Sequence, residues 1–321
     1  MVDLSKMKGL VGWSQTRSEI EQAVTSVIGK VPEERVELQV KTVDEQEFPG
    51  YTRKRVNYFV DSWDRVSAWL FIPDGKDEVP AVICCHQECR QGKDEPAGLE
   101  GDPRLAFAQH YAELGFVAVA PDCITAGERL SKHGPLDTKG FYKDKISEKL
   151  SAAGKMILDH MRAVDLLEEQ KRVDAARIGV IGHGLGAMNA LLLTAFDERV
   201  RACVASCGFT RHEGATPMAH WVNNPDLVLM PKLCEDPSGT PPFDWEHLLA
   251  LAAPSPTLVI TALKETPFPN PKSCDKAVQL ASRIYKLLGA PGALEHFGHS
   301  NGYEMSTECL DRADEWFERW L

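Results

Sequence analysis

A glycine-spaced turn in the middle of the chain carries the strongest chemical signal. Residues 178–181 form a continuous apolar run, typical of a strand buried on both faces, and a helical pattern covers residues 187–196. Between them, residues 182–186 spell Gly-His-Gly-Leu-Gly. A strand, a tight turn and a helix form the context in which G-x-S-x-G presents a nucleophilic serine, and here Gly184 is central. The turn therefore predicts a catalytic geometry without its usual nucleophilic oxygen.

The elements that must position this turn are indicated by alternating strand and helix patterns. Continuous apolar runs lie at residues 79–85, 116–120, 178–181, 202–205 and 257–261. Helical patterns lie at residues 103–114, 146–169, 187–196, 275–288 and 307–321. Because repeated strand-helix-strand units are right-handed and bury their strands, we predict an α/β fold with a mostly parallel central sheet and helices on both faces.

The N-terminal part, residues 1–78, has a different pattern of apolar and polar residues. It begins with an amphipathic helix near residues 18–28, where Ser18 and Glu21 have capping-box spacing. Period-two alternation follows at residues 36–43, 54–60 and 66–72. This pattern predicts an antiparallel lead-in to the sheet.

No linker or internal repeat divides the chain, so residues 1–321 are predicted to form a single domain. Residues 122–144 and 209–246 are long, irregular and rich in Pro, Gly and aromatic residues, and both follow predicted strands. Ligands bind at the carboxyl ends of strands in open parallel sheets. We therefore expect these stretches to be substrate-lining loops or a small cap.

Composition excludes several function classes. Lys and Arg total 36 against 47 Asp and Glu, a net charge of -11 that disfavours nucleic-acid and membrane-surface partners. The nine cysteines lack paired C-x-x-C spacing, so no metal site is predicted, and no cofactor motif stands out. The N-terminal residues lack an apolar signal region, so we expect a cytoplasmic protein.

Motifs spread over nearly the whole chain carry a family resemblance. They are Cys85-His86-Gln87, residues 92–99, Ala120-Pro121-Asp122, residues 161–165, residues 206–209, residues 242–245 and Gly298-His299. With these motifs the chain resembles the α/β-hydrolase superfamily, in the bacterial branch near dienelactone hydrolases and acetyl xylan esterases. The resemblance implies an α/β-hydrolase fold and places Gly184 where the family has its catalytic serine.

The resemblance also implies an acid and a histidine, in that chain order. Glu265 follows a buried strand where the family carries its acid, although spacing alone could also favour Asp275. His299, in Gly298-His299-Ser300, matches the catalytic histidine, a general base that the acid orients. Nearby His296 precedes the glycine and is expected to lie on a strand.

An oxyanion hole would consist of the backbone N–H groups of Leu185 and Gln87, as the resemblance implies. Neither donor needs a serine side chain. Glycine at position 184 should keep the turn, because the elbow forces its central residue towards positive φ, and it would leave a small polar gap.

Other side chains could supply a nucleophile. Cys85 and Cys207 lie near strand ends, and Tyr142 or Tyr303 could line the pocket. A reactive thiol needs an accessible, electropositive setting that the sequence does not reveal, so a cysteine replacement is the less favoured interpretation.

Substrate-lining positions are predicted at His86, His183, Trp221, Phe243 and Trp245. The aromatic residues indicate a fairly large, partly apolar small molecule with a carbonyl or ester group. The alternative is that the aromatic residues pack on the sheet and that both histidines are structural. Whether the chain forms a homodimer stays open.

Three functions remain. The first is a cofactor-free enzyme in which His299 and Glu265 act as a general acid/base dyad for a lyase, cyclisation, addition or water-mediated hydrolysis reaction. The second is a carboxylic-ester hydrolase inactivated by Gly184, because losing a triad member costs about a millionfold in kcat. The third is a non-catalytic binding pseudoenzyme.

Overall fold

A nine-stranded sheet organises the part of the chain that the computed structural model describes, which is residues 1–7, 9–130, 138, 150–212, 229–230, 232, 241–264, 266–268 and 270–321. In chain order its strands are β1 (Lys41–Phe48), β2 (Tyr51–Phe59), β3 (Arg65–Pro73), β4 (Val79–Cys85), β5 (Val117–Pro121), β6 (Val173–His183), β7 (Val200–Ser206), β8 (Thr257–Ala262) and β9 (Leu294–His299). Their order in the sheet is β1-β2-β3-β5-β4-β6-β7-β8-β9.

The strand directions separate the lead-in from the parallel half of the sheet. The pairs β1–β2, β2–β3 and β3–β5 are antiparallel, and every pair from β5–β4 to β8–β9 is parallel. The predicted mostly parallel sheet with an antiparallel lead-in is confirmed. Parallel strands must be joined by a crossover connection. The chain between two such strands therefore crosses over a face of the sheet.

Helices cover both faces of the sheet, as predicted. They are α1 (Trp13–Ile28), α2 (Phe107–Glu113), α3 (Ala152–Glu168), α4 (Leu185–Phe196), α5 (Trp245–Ala252), α6 (Ser273–Leu287) and α7 (Thr307–Trp320). One core cluster unites α1, α3, α4, α5 and α6, and a second unites α2 and α7. Successive residues of β4 enter opposite clusters, since Val82 belongs to the second cluster and Ile83 to the first.

Two local predictions in the lead-in were wrong. Helix α1 begins at Trp13 after Gly12, which has a φ of 88°, so Ser18 lies inside the helix and cannot cap it. The first strand spans Lys41–Phe48 rather than residues 36–43. It is an edge strand with seven exposed residues, so little apolar burial marks its bounds in the sequence.

Several of the predicted site residues lie at the carboxyl edge of the parallel strands. β4 ends at Cys85, two residues before Gln87, and β6 ends at His183, directly before Gly184. Three strands further along the sheet, β9 ends at His299, which pairs in register with Ala262 of β8. Among the described residues, no helix is both long and apolar enough to cross a membrane.

Candidate active site

The turn between β6 and α4 has the sharp geometry that the sequence predicted. Gly184 adopts a φ of 55° and a ψ of -120°, in a region that residues with side chains rarely enter. A Cβ atom at Gly186 would collide with the Cys85 carbonyl of β4, so glycine there lets α4 pack close to the sheet. The strand, the turn and the helix thus place Gly184 at the carboxyl edge.

The space beside the α-carbon of Gly184 is filled. A Cβ atom at this position would lie 2.5 Å from Glu88 Oε2 and closer still to the Tyr303 hydroxyl. The small polar gap expected from the loss of a serine side chain is therefore occupied by protein. Glu88 was not predicted from the sequence, whereas Tyr303 was one of two tyrosines expected to line the pocket.

Glu88 accepts hydrogen bonds from two donors at the turn. The N–H of Leu185, the first residue of α4, donates to Glu88 Oε2 at 2.9 Å, and the Tyr303 hydroxyl donates to Oε1 at 3.1 Å. Burial and the neighbouring Glu88 raise the pKa of Tyr303, so its phenol stays protonated. The one sequence signal for Glu88 was an acidic residue next to Gln87, just beyond a buried strand.

His183 lies in the floor of the site. Its Nδ1 is 3.0 Å from the Ser206 hydroxyl, and its ring centroid lies 4.7 Å from that of Tyr303. Burial lowers the pKa of His183 to about 4, so the ring is neutral at pH 7. Ser206 is itself fully buried, so this Ser–His pair is closed to a substrate.

His299 is buried at the end of β9 with unused hydrogen-bonding capacity. His299 is only 5% exposed, and its Nε2 has no hydrogen-bond partner among the described residues. The Asn301 N–H makes a long 3.4 Å contact with Nδ1. Burial lowers the pKa of His299, against the opposing effect of Glu308 and Glu304. A neutral imidazole of this kind can accept a proton.

Glu265 is the acid predicted to orient His299. Glu265 lies outside the described residues. The alternative, Asp275, lies in the first turn of α6, 3.6 Å from Nδ1 of His296. His296 Nε2 in turn contacts the Thr261 hydroxyl at 3.1 Å. Asp275 therefore partners His296, the histidine that the sequence analysis set aside.

The two predicted oxyanion donors differ in whether they already make a hydrogen bond. The Leu185 N–H is engaged by Glu88. The Gln87 N–H has no hydrogen bond within the described part of the chain, while the Gln87 side chain donates to Glu95 Oε1 at 3.0 Å. The turn therefore offers anion-binding donors, one of which already holds a carboxylate.

The predicted substrate-lining residues lie largely in the interior. Both ring nitrogens of His86 contact backbone, with Nδ1 2.6 Å from the Gln87 carbonyl and Nε2 accepting from the Cys123 N–H. Phe243 and Trp245 belong to the first core cluster, as the packing alternative held. Trp221 lies outside the described residues.

The alternative nucleophiles find little support in the geometry. Cys85 is fully buried in β4, and burial raises the pKa of its thiol. Burial raises the pKa of Cys207 to about 11, so this thiol is protonated at neutral pH. Tyr142 lies outside the described residues. Within the described ranges, no cluster of three His, Cys, Asp or Glu residues could hold a metal ion.

Comparisons with known proteins agree with this architecture. "Putative hydrolase YtaP" of Bacillus subtilis (strain 168) is 23% identical over 313 residues, covering 95% of this chain and 100% of the relative. The glucuronoyl esterase from Solibacter usitatus superposes with a TM-score of 0.77 at 18% identity, covering 97% of this chain and 94% of the other. The acetyl xylan esterase from Paenibacillus sp. R4 gives 0.64 at 17% identity, covering 98% and 96%.

The structural neighbours are too distant in sequence to define more than the fold, which is that of the α/β hydrolases. The family assignment comes from a family model. The model described as the dienelactone hydrolase family matches residues 66–231, just over half of the chain. With its α/β-hydrolase fold, the chain belongs to the dienelactone hydrolase family.

Proposed function

We propose that this chain is a cofactor-independent enzyme that hydrolyses a carboxylic ester of a small molecule by general acid/base catalysis, without a serine nucleophile. Membership of a hydrolase family favours hydrolysis over the lyase, cyclisation and addition reactions that the same groups could perform. The proposal therefore keeps the carbonyl chemistry of the fold and replaces the acyl-enzyme step with direct attack by water.

The observation that carries the proposal is the filled space beside Gly184. The Glu88 carboxylate and the Tyr303 hydroxyl occupy the volume that a serine side chain would need. A serine esterase that had simply lost its hydroxymethyl group would have a gap there. A site packed around glycine supports a reaction that proceeds without a covalent intermediate.

His299 is the proposed general base. Its lowered pKa keeps the ring neutral at pH 7, and its buried Nε2 is unpartnered in the described part of the chain. Glu265 is the proposed orienting acid, following the family resemblance. General base catalysis from such a residue contributes typically about 10²- to 10⁴-fold in rate.

The reaction would proceed in two proton-balanced steps. His299 takes a proton from water as the water oxygen bonds to the ester carbonyl carbon, and the oxyanion forms opposite the N–H groups of Leu185 and Gln87. The tetrahedral intermediate then breaks the carbon–oxygen bond to the alcohol, and His299 returns the proton to the leaving oxygen. The products are the carboxylic acid and the alcohol.

The test is steady-state turnover of a p-nitrophenyl ester series by the wild-type chain and by His299→Gln. We expect wild-type turnover without a burst, at least a 100-fold loss in His299→Gln, and no hydroxamate above the enzyme-free background when hydroxylamine is added, because no acyl-enzyme forms. Since the pKa of His299 lies below the ordinary 6.5, kcat/KM should keep its neutral-pH value to below pH 6.5.

Two results would favour the other functions. Burst kinetics with fluorophosphonate labelling of the wild-type chain would indicate a covalent nucleophile, which peptide mass spectrometry would identify. No turnover of any ester in the series, together with tight binding of an ester, would favour the binding pseudoenzyme.

A further inference from the structure

Glu88 holds one of the two donors that the proposed reaction needs. Its Oε2 accepts from the Leu185 N–H at the start of the twelve-residue helix α4, where the helix dipole also favours negative charge. Its Oε1 accepts from Tyr303, which is neutral and buried. Two charge-assisted hydrogen bonds therefore fix this carboxylate over Gly184.

We propose that Glu88 is an internal occupant of the oxyanion position, which a substrate carbonyl must displace from Leu185 before reaction. This inference rests on the proposed function, because it assigns the Leu185 N–H to the substrate oxygen in the reacting state. The ligand class is that of small molecules with a carbonyl or carboxylate group. Glu88 then acts as a positioning residue that controls access to the site.

The competition follows from hydrogen-bond geometry. One backbone N–H makes one strong linear bond, so Glu88 Oε2 at 2.9 Å and a ligand oxygen at similar distance exclude each other. The Glu88 side chain can leave by rotation about its own bonds, whereas Leu185 is fixed at the start of a buried helix. The mobile partner in the exchange is therefore Glu88.

A second observation at the carboxyl edge of the sheet also points to a ligand. The Nε2 of His299 lacks a partner within the described part of the chain although the residue is 95% buried, which is costly unless a ligand or water completes it. His299 and Glu88 both influence the pKa of His183, the residue before Gly184, so both lie within electrostatic range of this turn.

An internal competitor lowers the apparent affinity for a ligand in proportion to the fraction of molecules in which the site is free. If Glu88 occupies the donor about 90% of the time, its removal should strengthen binding about tenfold. Loss of its negative charge should strengthen binding of anions further. The effect should appear mainly in KM, because the chemistry after displacement does not use Glu88.

The experiment measures benzoate binding by titration calorimetry, and ester turnover, for wild type, Glu88→Ala and Glu88→Gln. The control is Glu47→Ala, on the exposed edge strand β1. We expect benzoate affinity to rise at least tenfold in Glu88→Ala, with KM for the ester lowered by a similar factor. Glu88→Gln should show a smaller change in the same direction, because its amide oxygen can still accept from Leu185.

Equal benzoate affinity in folded wild type, Glu88→Ala and Glu88→Gln would overturn the inference. So would a loss of kcat in Glu88→Ala that added acetate restores, because that result would make Glu88 a catalytic base. The binding measurement needs no turnover, so it decides the role of Glu88 even if the ester assays refute the proposed function.

Discussion

His183 Nδ1 lies 3.0 Å from the Ser206 hydroxyl, where the neighbouring parallel strands β6 and β7 end. The two residues are paired in register, so the sheet itself fixes this contact. The bond holds a buried imidazole directly before Gly184. Because burial disfavours the charged ring, the floor of the site depends on His183 staying neutral.

The stability of the protein should fall in mild acid because of three such histidines. Burial lowers the pKa of His160, His183 and His212 to about 4 each, whereas an unfolded histidine titrates near 6.5. Between pH 6.5 and 4 the unfolded chain binds protons that the native state does not, so the free energy of unfolding falls as the pH falls. Above pH 6.5 these residues contribute no pH dependence.

The loss should be about 2 kcal/mol for each histidine at pH 5. Urea unfolding at pH 7.5 and pH 5 measures it, and His160→Gln should lose correspondingly less stability between the two pH values than wild type. Equal losses in wild type and His160→Gln would contradict the assignment of His160 as a buried neutral group.

Restoring serine at position 184 should not by itself restore a serine hydrolase. In Gly184→Ser the new Cβ would collide with Tyr303 and Glu88, at a cost of about 1–3 kcal/mol. Adding Glu88→Ala removes one obstacle and frees the Leu185 N–H. We expect fluorophosphonate labelling of residue 184 in the double variant and little in the single variant, read by peptide mass spectrometry.

The thermal midpoints of both variants provide the control for folding. The double variant should recover part of the stability lost by Gly184→Ser. If the single variant were labelled as fast as the double variant, the Glu88 side chain would move readily out of the space beside residue 184.

A buried ion network ties α3 to the segment after β5. Asp159 accepts from Arg129 at 2.7 Å and also pairs with Lys155, and Asp64 lies 2.9 Å from the same lysine. Removing one partner of a buried network leaves a charge uncompensated. We expect Asp159→Ala to lower the free energy of unfolding by about 3–5 kcal/mol in urea titrations.

The matched control for this network is Asp174→Ala, which removes a partly exposed pair with Arg177. Its cost should be much smaller, because solvent screens an exposed ion pair. Similar costs for the two variants would mean that solvent reaches the Asp159 network.

Much of the fold could be predicted because its signals are local. Continuous apolar runs marked the parallel strands, since a strand buried on both faces tolerates few polar residues. Edge strand β1 was misplaced because exposed residues carry no such constraint. The tight turn around Gly184 was likewise predicted from a short segment.

The sequence by itself determined the turn around Gly184 and the order of elements, because each depends on neighbours within a few residues. The candidate histidine, His299, came from the family resemblance. Only the tertiary structure decided what fills the turn. Glu88 meets Leu185 across 97 positions and Tyr303 across 215. Such contacts follow from how the strands assemble in the sheet, and local residue patterns do not encode which distant side chains that assembly will bring together.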